Sequence, residues 1–202
     1  ELTGIPFPAP LPGVAVRARG EWVAAAGRLC GAAELDATTL GRAVRGLYDR
    51  IRRAIGPARP MRFWNFVPRI HEEVGNGLDR YMAFNAGRHD AFATWFPDLA
   101  AQVPTATAVG HRGRDLTVFC LAGTRPARPV ENPRQRPAWR YSRRYGPFPP
   151  CFARATRVET EGGPMLLVGG TASVRGEDTV HEGSLERQVE ETFANLAALE
   201  AN

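Results

Sequence analysis

Residues 61–67 read MRFWNFV, an aromatic and apolar run that lies between Pro60 and Pro68. Seven residues are few for a helix, and aromatic side chains favour extended backbone. The run therefore predicts a buried strand. Because helical patterns lie on both sides of it, the expected fold class is α/β, in the broad sense that includes α+β.

The helix predicted before this strand begins at Asp36 or Thr38, either of which can cap it, and Gly56 and Pro57 end it. Its apolar residues recur at helical spacing: Leu40, Val44, Leu47, Tyr48, Ile51 and Ile55.

The helix predicted after the strand runs from Leu78 to Phe96. Its inward stripe would consist of Leu78, Tyr81, Asn85, Arg88, Phe92 and Trp95. Asn85 and Arg88 do not belong in an apolar core, so both need polar partners.

Three further strands complete a small α/β unit over about residues 15–124: Glu21 to Leu29, Thr105 to Val109, and Leu116 to Ala122. Pro6 to Val14 is predicted to be an extended lead-in.

The rest of the chain is poorer in regular patterns. Gly123 to Val130 is rich in Pro and Arg and predicts a domain boundary, and Glu131 to Arg157 is expected to be irregular. A strand over Met165 to Gly169 and a helix capped by Ser184 follow, with Leu185, Val189, Phe193 and Leu196 on the apolar face. One strand and one helix cannot close a core. The first unit, another chain or further residues of a longer protein must cover them.

The charge of the chain is unevenly distributed. All 26 basic residues among the 202 are arginines, and the formal net charge is +5. Residues 112–157 contain 11 arginines against Asp115 and Glu131, a local charge of 11 − 2 = +9. Such a segment predicts an anionic partner, which could be a nucleic acid, an acidic protein or a small poly-anionic ligand.

Cysteine and histidine spacing argues against a metal site. Cys30, Cys120 and Cys151 form no Cys-x-x-Cys pair, and the four histidines lack the i, i+4 spacing of two ligands on one helical face. No apolar run approaches the ~20 residues that span a bilayer, so we expect a cytoplasmic protein that binds neither metal nor membrane.

The segment from Glu131 to Pro147 is the most informative part of the sequence. It combines arginines with Gln135, Tyr141 and Tyr145. Guanidinium groups pair with carboxylates, and hydroxyl and amide groups add oriented hydrogen bonds, so a planar ligand with several carboxylates fits. A surface or interface loop is the alternative. Nucleic acid is less favoured, because prolines interrupt the segment and no aromatic pair has the spacing of an RNA-binding platform.

Other patterns fit known chemistry less well. The run 169–173, GGTAS, has no lysine and is no Walker-type phosphate loop. Ser173 and His181 lack the nucleophile-elbow pattern of a hydrolase. Glu177, Asp178 and Glu182 are expected on a solvated loop with low pKa values, Glu191 is expected at the surface or an interface, and Glu131 is expected to be ion-paired and ionised.

Six short motifs in one order resemble the chorismatase family, also described as pteridine-dependent deoxygenase-like. They are residues 62–68 (RFWNFVP), 77–88 (GLDRYMAFNAGR), 131–135 (ENPRQ), 141–147 (YSRRYGP), 152–155 (FARA) and 170–181 (GTASVRGEDTVH).

This resemblance implies two reactive-intermediate-deaminase-like domains without cofactor, here residues 1–128 and an incomplete domain at 129–202. In such enzymes chorismate is held between the domains and loses pyruvate, in secondary metabolism. In that family the general acid lies on a late strand of the second domain, outside these residues. The catalytic residues therefore stay unknown and the enzyme assignment stays open. Another chain could complete the second domain.

The residues that we expect to bind the substrate are Asn85, Arg88, Gln135, Tyr141, Arg144, Tyr145 and Arg154. Two positions depart from the family, since Met82 and Phe148 stand where many relatives are expected to have arginine. The alternative is therefore a non-catalytic relative that binds a less charged metabolite or a partner subunit.

Overall fold

The structure, a computed structural model, describes residues 12–75 and 77–201. Its larger sheet has five strands in the order β1-β2-β5-β3-β4. β3 pairs antiparallel with β5 and parallel with β4, which places residues 61–67 inside the sheet. The strands are β1 (Val14–Arg19), β2 (Trp22–Leu29), β3 (Arg59–Pro68), β4 (Thr105–His111) and β5 (Leu116–Gly123).

Two long helices belong to this sheet: α1 (Ala37–Ala54) and α2 (Arg80–Trp95). The Asp36 side chain accepts the amide N–H of Thr39 and caps α1, while Asp79 accepts the amide N–H of Met82 and caps α2. The short α3 (Leu99–Gln102) follows α2 in the crossover from β3 to β4. Both predicted helices and the four predicted strands of this unit are confirmed.

The core lies between α1, α2 and β3. Tyr48 of α1 stacks on Phe63 of β3 with ring centres 5.2 Å apart, and its hydroxyl donates to Oδ1 of Asn65 at 2.6 Å. The two helices approach closely where Gly41 faces Gly87. A Cβ atom on Gly87 would overlap the Gly41 carbonyl oxygen and would lie 2.8 Å from the Cβ of Val44. Only glycine fits at position 87.

We expect Gly87→Ala to destabilise the protein by ~1–3 kcal/mol, because the added methyl group forces α1 away from α2. Gly46→Ala, also in a helix, is the control. Its new Cβ would meet only an arginine side-chain nitrogen at 3.8 Å, so stability stays unchanged or rises slightly with helix propensity. Urea unfolding of the variants measures the difference, and equal stability of Gly87→Ala and wild type would contradict the close approach.

A second sheet has three strands in the order β6-β7-β8, all antiparallel. They are β6 (Ala127–Val130), β7 (Ala155–Thr160) and β8 (Gly163–Val168), and the helix α4 (Leu185–Glu200) packs Leu199 against Val130 and Ala155. A two-stranded hairpin, β9 (Val174–Arg175) and β10 (Asp178–Thr179), stands between β8 and α4.

Side-chain hydroxyls connect the two sheets. Thr156 of β7 donates to the carbonyl oxygen of Met61 on β3 at 3.0 Å, and its Oγ1 lies 2.8 Å from Oγ1 of Thr105 on β4. The amide N–H of Ala153 donates to the Pro104 carbonyl at 3.0 Å. The first unit therefore covers part of the second sheet, one of the three possibilities that the sequence left open.

Three of the four apolar residues predicted on one face of α4 are not covered by the described residues. Leu185, Val189 and Phe193 are exposed, whereas Glu191, Asn195 and Leu199 are buried. The helix turns a polar stripe inward because arginines from the neighbouring segment and hairpin compensate it, as the site geometry shows below.

Besides the short hairpin β9–β10, which lies where a solvated loop was expected, three strands were not predicted. β1 is an edge strand whose alternating VAVRAR pattern is mostly exposed, and the proline-rich lead-in predicted before it falls largely on residues 1–11, outside the described residues. β6 lies in the stretch that was expected to be a domain boundary, and β7 begins in the stretch that was expected to be irregular. Prolines and arginines in these stretches obscure the alternation of apolar and polar residues that indicates a strand.

Two kinds of feature are absent from residues 12–75 and 77–201. No helix there is long and apolar enough to cross a membrane, and no cluster of His, Cys, Asp and Glu side chains could hold a metal ion.

Candidate functional site

The centre of the arginine- and tyrosine-rich segment is the buried guanidinium group of Arg154, which is 6% exposed. Its Nη2 donates to the Tyr141 hydroxyl at 2.7 Å and to the Arg136 carbonyl at 2.9 Å. The Tyr141 and Tyr145 rings lie 5.0 Å apart, and the Arg144 guanidinium lies 4.8 Å from the centre of the Tyr145 ring. Four of the seven expected site residues therefore form one cluster.

The β9–β10 hairpin shapes this segment. The amide N–H of Arg136 donates to the Gly176 carbonyl at 2.7 Å, and Gly176 N–H donates to the Arg134 carbonyl at 2.9 Å. Between them, Nε2 of Gln135 donates to the Val174 carbonyl at 3.2 Å. Gly176 has φ of +59°, a turn conformation that suits glycine. The hairpin thus positions Gln135. Its neighbour in sequence, Arg136, contacts Arg154, but the side chain of Gln135 is held by the hairpin and not by the Arg154 cluster.

Glu177 and Asp178 on this hairpin are contacts of the site. Oε2 of Glu177 accepts the amide N–H of Ser142 at 2.9 Å, and Tyr145 donates its hydroxyl to the Glu177 carbonyl. Arg144 forms an ion pair with Asp178. The hydrogen bonds from Ser142 lower the pKa of Glu177. The predicted low pKa is confirmed for Glu177, but its cause is a partner in the fold and not a solvated loop.

Asn85 and Arg88 of α2 form a second buried pair. Nη2 of Arg88, a residue only 1% exposed, donates to Oδ1 of Asn85 at 2.9 Å. The guanidinium lies 5.1 Å from the ring centre of Phe84 and 5.9 Å from that of Phe152. Within residues 12–75 and 77–201, no carboxylate forms an ion pair with it. The predicted need for partners is met by an amide and by aromatic rings.

Phe152 joins the two arginine centres. Arg154 lies 5.2 Å from the centre of the same ring that Arg88 approaches. The sequence reasoning quoted Phe152 in a motif but assigned it no role. Two guanidinium groups around one aromatic ring give a cationic region whose geometry is fixed by packing.

Several expected site residues have buried polar atoms that make no hydrogen bond to any described residue. These atoms are Nδ2 of Asn85, Nε of Arg88, Oε1 of Gln135 and Nε of Arg154. Buried polar atoms are normally paired, and leaving one unpaired costs ~1–3 kcal/mol. Four of the seven residues share this property, which is typical of groups that bind a ligand.

Glu131 behaves differently from the expectation. It follows directly after β6, and burial raises the pKa of its carboxyl group to about 7, although the charge of Arg154 and the Trp139 side chain oppose this rise. Burial thus opposes the full ionisation that the sequence predicted, while the charge of Arg154 acts on the carboxyl group as the expected ion pairing would. Its position after the apolar Val130 at a strand end was the signal that could have identified it.

Glu191 is 4% exposed and lies between two arginines, so the expected surface position is wrong. Arg175 donates to both of its carboxylate oxygens, Arg134 pairs with Oε1, and Nε2 of His181 lies 3.5 Å from Oε2. These bonds lower the pKa of Glu191 to about 2. The carboxylate supports the Gln135 segment through its bond to Arg134, and a pKa this low makes it a poor acid at neutral pH.

Internal ion pairs absorb much of the local charge of +9. Five of the eleven arginines in 112–157 pair with carboxylates from outside that segment: Arg114, Arg125, Arg134, Arg136 and Arg144. Arg88 and Arg154 form no such pair among the described residues. Of the six arginines of the segment without such a pair, Arg154 alone is buried.

Met82 and Phe148, where the resemblance leads us to expect arginine in many relatives, lie beside the cluster. A Cβ on Gly146, whose φ is +113°, would lie 3.0 Å from Cγ of Met82. The Phe148 ring centre lies 5.1 Å from that of His89. Both positions are thus close to the residues that follow Tyr145 and make that side of the cluster apolar.

Comparison with known proteins connects this geometry to a family. The family model described as "Chorismatase FkbO/Hyg5-like, N-terminal" matches residues 11–122, more than half of the chain. The chain belongs to the chorismatase family. The resemblance inferred from the six motifs is therefore confirmed.

Named members of the chorismatase family extend the match. A 3-hydroxybenzoate synthase of Streptomyces hygroscopicus is 38% identical over 146 residues, which is 70% of this chain and 43% of that protein. A chorismatase of Streptomyces rapamycinicus is 36% identical over 155 residues, 75% and 46% of the two chains. The chain spans about half the length of these relatives.

A crystal structure of a chorismatase superposes with a TM-score of 0.82 at 30% identity, and the match covers 93% of this chain and 56% of that one. The mixed α/β fold of the chain is thus the fold of a chorismatase over most of the chain.

We expect Glu191→Gln to lower the melting temperature at pH 7, because the neutral amide leaves Arg134 and Arg175 without their shared anion. The folded-state pKa lies below the unfolded value, so the stabilisation is present above about pH 4.5 and disappears as the pH falls towards 2. Thermal unfolding between pH 3 and 7 measures this.

The exposed neighbour Glu190 provides the control, since Glu190→Gln should leave the melting temperature unchanged at each pH. A loss in Glu191→Gln that is equally large at pH 3 and pH 7 would contradict the ion-pair explanation.

Proposed function

We propose that this chain forms the substrate-binding part of a chorismatase-type enzyme that acts on chorismate or a related carboxylated cyclohexadiene. The observation that carries the proposal is the pair of buried guanidinium groups around Phe152, Arg88 and Arg154, with Tyr141 bonded to Arg154. Arg88 has no ion pair among the described residues, and the carboxyl group that acts on Arg154, that of Glu131, has a pKa raised by burial, so an anionic ligand is the natural complement of the two cations.

Chorismate is a dianion with a cyclic diene, and the cluster fits both properties. Arg154 with Tyr141 offers a charged and a neutral hydrogen bond to a carboxylate. Aromatic side chains line the same region, and unpaired atoms on Asn85 and Gln135 are available for further polar groups. We propose no metal and no organic cofactor.

The proposed domain organisation is residues 1–128 for a first reactive-intermediate-deaminase-like domain and 129–202 for part of a second one. The two sheets, each with its own helices, support this division. We propose that the general acid, and with it the release of pyruvate, comes from residues that complete the second domain, in this or another polypeptide of a secondary-metabolic pathway.

The pairing of Arg144 supports a second candidate function. Its ion pair with Asp178 makes it less available to a ligand than Arg154. Together with the apolar Met82 and Phe148, this favours a less charged ligand or a partner subunit, bound by a non-catalytic relative.

We expect chorismate to bind through charge. Arg154→Ala should weaken binding by ~1.5–3 kcal/mol, and Tyr145→Phe by ~1 kcal/mol, as for charged and neutral hydrogen bonds. Calorimetric titration of each variant measures the affinity, after circular dichroism has shown that the variant is folded.

Arg128→Ala is the matched control, because Arg128 is an exposed arginine on the neighbouring strand β6. Its loss changes the net charge equally but should leave the affinity within about twofold. Equal affinity of wild type and Arg154→Ala would remove Arg154 from the site and favour the second candidate function.

We expect the 202-residue chain alone to release no pyruvate from chorismate. Protonation of the enol-ether carbon needs a positioned acid, which contributes ~10²–10⁴ in rate. Glu177 and Glu191 both have lowered pKa values and are poor acids at neutral pH. A coupled pyruvate assay tests this. Turnover by wild type that Glu131→Gln abolishes would contradict it and would make Glu131 the acid.

A further inference from the structure

Glu131 and Arg154 lie across from each other at the end of a strand ladder. The last pair of the antiparallel β6–β7 ladder is Val130 with Ala155. Continued by one residue, this register sets Glu131 opposite Arg154, in agreement with the charge of Arg154 that acts on the Glu131 carboxyl group. Directly opposed residues of antiparallel strands project their side chains to the same side. The carboxyl group and the guanidinium group are therefore neighbours by register, although they are 23 residues apart in sequence.

The position of Glu131 is held firmly. The next residue, Asn132, donates its side-chain amide to the Asn195 carbonyl of α4 at 2.8 Å and accepts the amide N–H of Arg134 at 2.9 Å. Both carboxylate oxygens of Glu131 are inaccessible to solvent. The group is thus fixed beside Arg154 in a place that water does not reach.

Few charges act on this carboxyl group. Arg154 acts from the start of β7, and the uncharged Trp139 side chain acts from the loop. The short helix α3, which packs against β6, contains only Leu99, two alanines and Gln102. On α4, the nearby Glu191 is already paired with Arg134 and Arg175. Arg154 is therefore the dominant charge that an ionised Glu131 meets.

The two protonation states of Glu131 leave different charges at the cluster. When Glu131 is ionised, its negative charge offsets that of Arg154, and a second anion at Arg154 is repelled across a region of low dielectric. When Glu131 is neutral, the full charge of Arg154 is available to a ligand. A bound carboxylate and an ionised Glu131 therefore compete for one cation.

We infer that Glu131 is a positioning residue for the anion site, and that its carboxyl group takes up a proton when a dicarboxylate binds at Arg154. This inference rests on the proposed function. It adds a proton-linked control of affinity that acts through Arg154 and not through contact with the ligand.

The sign of the pH dependence follows from linkage. Burial already raises the pKa of Glu131 to about 7, and the negative charge of a bound ligand raises it further. Affinity is then constant below pH 7 and falls above it by up to about tenfold per pH unit, until the pKa of the complex is passed. Proton uptake on binding occurs in the same interval.

Calorimetric titration with chorismate between pH 6.5 and 9, in phosphate and in Tris buffer, measures both quantities, because the two buffers differ in ionisation enthalpy. The ligand carboxylates titrate well below this range. His89 is the titratable group near Phe148, and burial lowers its pKa, so it also titrates below the range. We expect wild type to take up between half a proton and one proton near pH 8.

Glu131→Gln should abolish this uptake and make the affinity independent of pH. Glu159→Gln, which changes an exposed glutamate on β7, is the matched control and should keep the uptake of wild type. A merely structural role for Glu131 would change affinity equally at every pH.

The outcomes separate the inference from the proposed function. Binding by wild type with no proton uptake, or with the same uptake in Glu131→Gln, overturns the inference and leaves the proposed function intact. No binding by wild type overturns both. Should Glu131→Gln fail to fold, infrared difference spectra of wild type at pH 8 test the inference instead. Addition of the ligand must then produce the absorption of one buried carboxylic acid. The absence of this absorption overturns the inference.

Discussion

The hydroxyl of Thr156 is the contact on which the arrangement of the molecule depends. It donates to the Met61 carbonyl of β3, an inner strand of the first sheet, and bonds with Thr105, so it fixes β7 of the second sheet against β3 and β4. Arg154 lies two residues before Thr156, and its ring neighbour Phe152 lies four before. A few hydrogen bonds between the sheets thereby bring Arg154 to the ring of Phe152, which Arg88 of α2 also approaches.

The net charge of a segment does not show which of its charges are paired in the folded protein. Arginines of the segment 112–157 pair with carboxylates from distant parts of the chain, such as Glu177 and Glu191. Much of the apparent need for an anionic partner is thus met inside the molecule. Among the described residues the buried guanidinium group of Arg88 lacks such a pair, and that of Arg154 faces the Glu131 carboxyl group, whose pKa is raised by burial, so these two cations have a physical reason to bind a ligand.

The pKa values of two glutamates differ because their carboxyl groups have different neighbours in the fold. Glu131 and Glu191 are both buried, yet the pKa of Glu131 is raised to about 7 while that of Glu191 is lowered to about 2. Glu191 receives several charged hydrogen bonds that outweigh the cost of burial, whereas Glu131 faces one arginine and an uncharged indole. The difference comes from the number of donors that tertiary packing places around each carboxylate.

The sequence by itself determined both long helices and four of the five strands of the first unit, the cap of α1 and the family, because helical spacing, capping residues and ordered motifs are local patterns. It also identified Asn85 and Arg88 as polar residues on the inward face of one helix that need polar partners. Only the tertiary structure decided which face of α4 is buried, which strands surround Arg154, and which carboxyl group has its pKa raised. Strand pairing and burial join residues far apart in the chain, and the free energy of an ionised group depends on those distant neighbours.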